Sequence, residues 1–203
     1  MKEQFERIYA RNEWKFGSGE GSLPVYTTEY RKLIESFLQK KQIQTVLDFG
    51  CGDWQSSRLI DWGKVQYVGF DIVPQVIADN RAKYQKANLA FELFNGDFNT
   101  LPNADLIIVK DVLQHWSEAA IIRFLPVFAR YPNALVTNCI NPGSTLNPDI
   151  PDGGFRPLDL RLPPFNVAAD ELLIFSKYKT PLHRWLGRAA WTKKVLLIQP
   201  VNQ

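Results

Sequence analysis

The chain has 203 residues, of which 45% are hydrophobic, and this is enough for one compact domain with a packed core. Its formal net charge of +3 is small and its charged residues are interspersed, so a nucleic-acid partner is not expected. The sequence has no run of about 18 apolar residues, no N-terminal signal pattern and only two cysteines, which predicts a single cytoplasmic domain over residues 1–203 without a transmembrane segment.

Residues 1–29 are predicted to form a short helix and a glycine-rich loop. Phe5, Ile8 and Tyr9 recur at helical spacing, which indicates one apolar helix face. The run Gly-Ser-Gly-Glu-Gly-Ser at 17–22 favours neither helix nor strand, because glycine weakens both. We expect this loop to be either a lid, whose backbone N–H groups close over a carboxylate or phosphate, or a plain connector.

A second amphipathic helix follows and is expected to cover the sheet beside the first strand. Thr27 and Thr28 are of the residue type that caps a first helical turn, and the polar run 39–42 marks the end of the helix. Its apolar stripe consists of Tyr30, Leu33, Ile34, Phe37 and Leu38.

A strand, a tight turn and a helix are predicted along the stretch 45–62. Three β-branched or apolar residues lead to Asp48, and the turn that follows contains Gly50 and Gly52. Glycine takes backbone conformations that a β-carbon forbids, so a ligand can approach this turn closely. The helix is predicted over 56–62, and its first N–H groups favour an acceptor or a negative charge. This pattern predicts a nucleotide-type site at the carboxyl end of the first strand.

Alternating strands and helices continue the pattern of a doubly wound α/β fold. The second strand is predicted over 65–72, and Asp71 stands at its end, 21 residues after Gly50. That position suits an acid that accepts two ribose hydroxyls. Further strands are predicted over 89–94, 104–109, 134–138, 172–178 and 193–199, with helices over 74–87, after Ser117 with an interruption near Pro126, and within 179–192.

Two later segments have an unusual composition. Residues 141–170 hold six prolines and three glycines, and a long irregular segment of this kind predicts a substrate-side flap. From Ser176 onward, six Lys or Arg side chains occur without any Asp or Glu. This basic tail is expected either to meet an anionic partner or a membrane surface, or to be an ordinary solvated face.

The order of these motifs resembles that of class I S-adenosylmethionine-dependent methyltransferases. The resemblance spans roughly residues 30–140 and rests on Val-Leu-Asp-Phe-Gly-Cys-Gly at 46–52, Gly-Phe-Asp-Ile at 69–72, Asn-Gly-Asp-Phe at 95–98 and the segment 104–115. It implies S-adenosylmethionine as the cofactor. It also implies a Rossmann-like, doubly wound, seven-stranded sheet that is mostly parallel with an antiparallel C-terminal strand, in the order 3-2-1-4-5-7-6.

The resemblance further implies which residues bind the cofactor. The turn 50–52 would lie against the methionine part, and Asp71 would accept the ribose hydroxyls. Asp97 with Phe98 would border the adenine, and Lys110 would line the pocket of the methyl donor. Trp54 would either line the cofactor pocket or pack in the apolar core. The implied cofactor-binding residues are Asp48, Gly50, Cys51, Gly52, Trp54, Asp71, Ile72, Asp97, Phe98 and Lys110.

The predicted catalytic residues follow the fourth strand. A sulfonium carries an activated methyl group, so the main contribution of the enzyme is to align the acceptor with that group. His115 is predicted either as a general base, for which an ordinary imidazole pKa of about 6.5 is suitable, or as a structural histidine. Asp111 is predicted to orient that histidine or to bind substrate, unless it caps the next turn. Asn138, Asp149 and Arg156 are the predicted substrate-side residues.

The predicted function is methyl transfer to an oxygen or nitrogen acceptor on a small molecule or glycan. No metal ion is expected, because the cysteines and histidines lack zinc-ligand spacing. A narrower similarity, at 17–22, 52–55, 156–160 and 163–165, is to small bacterial methyltransferases associated with glycan or natural-product modification. A nicotinamide-dependent oxidoreductase is disfavoured, because Gln55 stands where a dinucleotide fingerprint has its third glycine. A non-catalytic cofactor-binding module with the same fold is the other alternative.

Overall fold

A mixed sheet forms the centre of the molecule in the computed structural model, which describes residues 1–141 and 147–200. Its seven strands lie in the order β3-β2-β1-β4-β5-β7-β6. Strands β1 to β5 are parallel, and β7 is antiparallel to both of its neighbours. The predicted fold class and strand order are therefore confirmed. The strands are β1 Thr45–Phe49, β2 Gln66–Asp71, β3 Leu89–Leu93, β4 Leu106–Lys110, β5 Asn133–Cys139, β6 Asp170–Lys177 and β7 Trp191–Ile198.

Each face of the sheet carries its own apolar core. Along β4, Ile107 and Val109 pack into the core that includes α1 and α4, whereas Leu106 and Ile108 pack into the core that includes α2. A central parallel strand buried on both faces reads as a continuous apolar run, which is why this strand was predictable. The helices are α1 Lys2–Ala10, α2 Thr28–Lys40, α3 Pro74–Tyr84, α4 Glu118–Phe124 and α5 Pro181–Trp185.

The helix predicted over 56–62 is wrong, since only one 3-10 turn forms, at Ser57–Leu59. The N–H of Asp61, which would continue a helix, donates instead to Glu35 on α2 at 3.1 Å. The indole of Trp62 donates to the Ser57 carbonyl at 2.9 Å. Tertiary contacts therefore take the backbone groups that a longer helix would need.

The predicted cap of α2 also differs. Thr27 occupies the N-cap position, but its hydroxyl donates to the carbonyls of Leu23 and Pro24, both at 3.3 Å, and accepts nothing from the helix. The helix predicted after Ser117 does form, and the Ser117 hydroxyl caps it by accepting from the N–H of Ala120 at 3.4 Å.

The topology brings the ends of distant segments to one edge of the sheet. The carboxyl ends of β1, β2 and β4 meet there because these strands are parallel neighbours. The connection 178–190 between β6 and β7 lies at the same edge, because Cys139 at the end of β5 pairs with Lys193 near the start of β7. Positions 142–146 of the predicted flap, and positions 201–203, lie outside the described residues.

Candidate functional site

A cavity of about 340 Å³ lies at the carboxyl ends of β1, β2 and β4. This is the size of a small-molecule pocket, and open α/β sheets hold their ligands at this edge. Eleven of the sequence-predicted site residues line it: Asp48, Gly50, Cys51, Gly52, Trp54, Asp71, Ile72, Phe98, Lys110, Asp111 and His115. Asp97, Asn138, Asp149 and Arg156 are not among the lining residues.

The floor of the cavity is the turn after β1. Gly50 has φ +75° and Gly52 has φ +55°, both in the left-handed region that favours glycine. A β-carbon at Gly50 would overlap the side chain of Val112, and one at Gly52 would overlap Ser18. The N–H groups of Gly50 and Cys51 both donate to the Phe70 carbonyl of β2, at 2.8 and 3.0 Å. The two glycines therefore allow the chain to turn within a closely packed wall.

Asp71 places a buried carboxylate beside this turn. Its Oδ2 accepts from the N–H of Gly52 and its Oδ1 from the N–H of Val73, both at 3.0 Å. Burial raises its pKa from 3.8 to about 6, although these backbone donors oppose the shift. Each carboxylate oxygen has lone pairs for a second donor, so Asp71 retains the capacity to accept two hydroxyls of a ligand.

A hydrogen-bonded chain supports the turn from the core side. The indole N–H of Trp54 donates to the Tyr67 hydroxyl at 2.8 Å, and that hydroxyl donates to Asp48 Oδ2 at 2.7 Å. Burial raises the pKa of Asp48 from 3.8 to about 6. The Trp54 ring packs against Tyr84 and Phe91, so its main role is in the core, although the residue borders the cavity.

The N-terminal segment covers the glycine turn. Ser18 is the centre of this contact, because its hydroxyl accepts from the N–H of Asp53 at 2.9 Å while its own N–H donates to the Asp53 carboxylate at 3.1 Å. The Tyr9 hydroxyl lies 2.8 Å from the same Ser18 oxygen, and Gln55 donates to the Phe16 carbonyl at 2.8 Å. The glycine-rich loop is thus attached to the cavity wall.

Three charged side chains form a buried cluster at the other end of the cavity. Asp111 Oδ2 lies 2.5 Å from the Nζ atoms of both Lys110 and Lys193, and Lys193 also donates to the Gly21 carbonyl at 3.2 Å. Burial alone raises the pKa of Asp111, but the two ammonium groups outweigh it and lower that pKa to about 2. Burial lowers the pKa of Lys193 to about 8, although Asp111 opposes the shift.

This cluster carries a net charge of +1 when both lysines are protonated. Asp111 has φ +59°, which is rare outside glycine and costs energy that the surrounding contacts must supply. Its Oδ1 is buried and has no hydrogen-bond partner among the described residues. A strained residue with an unsatisfied buried acceptor beside a cavity is typical of a ligand site.

His115 has a fixed orientation at the cavity wall. Its Nδ1 lies 2.7 Å from the Gly154 carbonyl, which only accepts, so the neutral ring carries its proton on Nδ1. Its Nε2 lies 3.3 Å from the Gln114 amide nitrogen and accepts from it. The ring packs against Trp14 with centroids 4.8 Å apart, and burial lowers the pKa of the imidazole. The ring is therefore neutral at neutral pH.

Asp111 does not orient this histidine. Within the described ranges 1–141 and 147–200, no hydrogen bond joins the side chains of Asp111 and His115. The imidazole is oriented by the Gly154 carbonyl instead. Gly154 belongs to the predicted flap, so the flap contributes a backbone group where the sequence suggested a side chain.

The flap residues predicted to face substrate hold the flap to the body instead. Arg156 is buried, and its guanidinium donates to the carbonyls of Pro148 and Trp116, both at 2.8 Å. Asp149 accepts from the N–H of Glu118 at 2.7 Å, where α4 begins. A carboxylate at a helix start satisfies an N–H that has no partner within the helix.

Two other predicted residues also lie away from the cavity. Asn138 is buried within β5. Asp97 is exposed, and its Oδ1 accepts from the N–H of Asn99 at 2.9 Å, which caps the turn at Phe98–Thr100. Its neighbour Phe98 does reach the cavity, where its ring stacks on Phe94 with centroids 5.5 Å apart.

Several cavity residues were not predicted from the sequence. Trp14 and Ser18 come from the N-terminal segment; the loop that contains Ser18 was predicted to be a lid or a connector, but neither side chain was assigned to the cavity. Lys193, which contacts the lining residue Asp111 without lining the cavity itself, lies in β7, 82 positions from Asp111, and only the strand order brings the two together. The further unpredicted lining residues include Tyr9, Phe49, Phe94 and Val112.

Within 1–141 and 147–200, no group of three or more His, Cys, Asp or Glu side chains has an arrangement that would hold a metal ion. No helix in this part of the chain is both long and apolar enough to cross a bilayer.

Comparisons with known proteins agree with this geometry. Residues 46–132 match the family model described as "Methyltransferase domain". A comparison with curated proteins finds no match. Among solved structures, a magnesium protoporphyrin IX methyltransferase from Synechocystis PCC 6803 with bound S-adenosylmethionine is 14% identical, with a TM-score of 0.61 over 98% of this chain and 97% of that one.

Two further solved structures share the fold at similarly low identity. PigF with S-adenosylhomocysteine is 14% identical, with a TM-score of 0.63 over 97% of this chain and 62% of that one. The bifunctional kinase-methyltransferase WbdD is 16% identical, with a TM-score of 0.57 over 86% of this chain and 40% of that one. Residues 46–132 thus match a methyltransferase domain, and these solved structures share the fold of the chain around it.

Proposed function

We propose that this enzyme transfers a methyl group from S-adenosylmethionine to an oxygen or nitrogen acceptor on a small molecule or glycan. The observation that carries the proposal is the convergence of the turn 50–52 and the carboxylate of Asp71 in one cavity. Bound S-adenosylmethionine supplies an activated methyl group, so the protein has to bind, orient and exclude water rather than generate an electrophile.

The cofactor end of the cavity suits a nucleoside. Each carboxylate oxygen of Asp71 accepts one backbone N–H, which leaves lone pairs for two ribose hydroxyls. Ile72 follows Asp71 along the wall, and Phe98 offers an aromatic face for the adenine. Because Asp97 points to solvent, we do not assign it to the cofactor.

The acceptor end contains the polar groups that remain. We assign His115 as the general base, because its Nδ1 proton is held by Gly154 and its Nε2 is unprotonated. For Nε2 to accept a proton from the acceptor, the amide of Gln114 must yield its hydrogen bond. Lys110 and Asp111 line this end, and we assign them to binding and positioning the acceptor.

The free thiols fit a reducing compartment. Cys51 and Cys139 are both unpaired, so we propose the cytoplasm as the location of the enzyme. We also propose that residues 1–203 form one domain, since both apolar cores share the strands of one sheet.

Titration with S-adenosylhomocysteine tests the cofactor assignment. Asp71→Asn removes the charge and half of the acceptor capacity, and we expect a loss of about 1.5 to 3 kcal/mol of affinity, or about 10- to 150-fold. Asp105→Asn is the matched control, because Asp105 also accepts two backbone N–H groups, from Gln44 and Thr45 at 2.9 and 2.8 Å, at the opposite end of β1. Equal affinities for both variants would remove Asp71 from the site.

A panel of acceptors tests the transfer itself. We expect release of S-adenosylhomocysteine with at least one hydroxyl- or amine-bearing small molecule or glycan. Tight cofactor binding without product across the whole panel would favour a non-catalytic cofactor-binding module with the same fold.

A further inference from the structure

An exposed apolar tip projects from the connection between β6 and β7. We call residues 178–190 the hairpin tip; it contains the short helix α5. Leu182, Trp185 and Leu186 are 62%, 82% and 45% exposed. Their spacing of three and four positions places them on one side of a single helical turn. The most exposed large apolar side chains of this segment therefore form one small patch.

Cations surround this patch. Lys179, Arg184 and Arg188 are exposed, and none of them forms an ion pair with another described residue. The sequence has no Asp or Glu after Glu171. The hairpin tip thus combines exposed Leu and Trp with uncompensated positive charge.

The hairpin tip also lies at the same edge of the sheet as the cavity. Lys177, which precedes it, forms an ion pair with Glu20 of the glycine-rich loop and lies 4.5 Å from the ring centroid of Tyr26. Lys193, which follows it, reaches Asp111 at the cavity. The tip therefore projects from the same edge of the sheet as the cofactor turn.

We propose that the hairpin tip docks this enzyme on an anionic lipid bilayer surface. Trp and Leu side chains partition into the interface between headgroups and acyl chains, while Lys and Arg are attracted to anionic headgroups. A stable protein interface buries roughly 800 Å² on each partner with a complementary shape, which one convex helical turn does not offer. A bilayer requires no such complementarity. Nucleic acid would engage the cations but leave the apolar side chains in water.

Docking would bring the edge of the sheet that holds the cavity close to the membrane. Since the cavity and the hairpin tip share that edge, acceptors attached to lipid or enriched at the bilayer surface would reach the enzyme first. This consequence rests on the proposed function, whereas the docking itself does not.

Co-sedimentation of the full chain with lipid vesicles tests the docking. The probes are phosphatidylcholine vesicles and mixed vesicles of phosphatidylcholine and phosphatidylglycerol. We expect at least about tenfold tighter binding to the mixed vesicles, and we expect added salt to weaken it, because the contact is partly electrostatic. The proposal would be overturned if the folded chain co-sedimented with neither kind of vesicle.

Three variants separate the two contributions. Serine at Leu182, Trp185 and Leu186 together should reduce binding to mixed vesicles by about tenfold or more, because three interfacial side chains are lost. Arg184→Gln with Arg188→Gln should reduce it by about fivefold for each charge. The control is Leu93→Ser with Ile122→Ser, two side chains that are 41% and 49% exposed, of which Leu93 lies in β3 at the opposite end of the strand order from β6, and its binding should be unchanged.

Affinity for S-adenosylhomocysteine reports whether each variant is folded, since none of these residues lines the cavity. That readout also keeps a failure of docking distinct from a failure of the methyltransferase assignment. The proposal is overturned if the control loses as much binding as the triple variant. It is overturned too if sedimentation velocity shows self-association that the triple variant abolishes while vesicles bind neither protein.

Discussion

The two ends of the cavity are built in different ways. The cofactor end comes from consecutive pieces of chain, a strand, its turn and the acid at the end of the next strand, within 24 positions from Asp48 to Asp71. The acceptor end comes from β4, β7, the N-terminal loop and the flap, which meet only in the folded protein. Local sequence therefore specifies the cofactor end, whereas topology specifies the acceptor end.

The largest expected effect concerns the acceptor end. His115→Ala should lower the turnover number by about 10²-fold or more, because a general base contributes rate and not cofactor affinity. The measurement is steady-state kinetics together with S-adenosylhomocysteine titration, and the affinity should stay nearly unchanged. His183→Ala, which alters the other histidine of the chain on the exposed connection, is the control. Normal turnover in the His115 variant would leave only a structural role for the imidazole.

The packing of the cofactor turn can be tested by a pair of glycine variants. Gly50→Ala forces a side chain into a positive φ and against Val112, whereas Gly63→Ala meets a similar φ of +50° with open space around it. We expect Gly50→Ala to cost about 1 to 3 kcal/mol more in the free energy of unfolding than Gly63→Ala, measured in urea. Adding Val112→Ala to the Gly50 variant should recover part of the difference. Equal costs would contradict the close packing at the turn.

Much of the fold followed from the sequence, for reasons that particular elements make clear. The strand β4 was recognisable from its continuous apolar run, and β1 with its turn from Gly50 and Gly52. The helix predicted over 56–62 failed because the N–H of Asp61 donates to Glu35 on α2, a tertiary partner, while the indole of Trp62 donates to the Ser57 carbonyl. A pattern of apolar spacing contains no information about such partners.

The site divides in the same way. Eleven of the fifteen predicted residues line the cavity. The other four are Asp97, which is exposed, and Asn138, Asp149 and Arg156, which belong to later segments of the chain. Arg156 was predicted to face the substrate, yet its guanidinium donates to main-chain carbonyls. Lys193 was missed because no local pattern relates it to Asp111.

The buried ion cluster allows a test of the acceptor end through stability. Lys193→Met leaves Asp111 with only one of its two cations, and we expect a loss of about 1 to 2 kcal/mol in the free energy of unfolding. Lys194→Met is the control, since its amine pairs instead with Asp159 at 2.8 Å and Glu171 at 3.1 Å. The Lys193 variant should also raise the KM of the acceptor, and the Lys194 variant should not.

The last expected effect is a pH dependence at the cofactor end. The pKa of Asp71 is raised from 3.8 to about 6, so between these values the folded protein holds a proton that the unfolded chain has lost. The contribution of Asp71 to stability therefore falls as the pH rises through this window, and that of Asp48, whose pKa is also about 6, has the same sign.

Affinity for S-adenosylhomocysteine should change in the opposite direction. Ribose hydroxyls donate better to the ionised carboxylate, so affinity should rise by about five- to tenfold from pH 5 to pH 7. Asp71→Asn should abolish this dependence. A wild-type affinity that is flat over this range would show that the carboxylate of Asp71 does not contact the ligand.

A crystal structure with S-adenosylhomocysteine bound tests the central claim most directly. The account predicts both ribose hydroxyls within hydrogen-bond distance of the Asp71 carboxylate and the amino-acid end of the ligand against the turn 50–52. A nucleoside bound elsewhere, or with Asp71 turned away from its sugar, would contradict it.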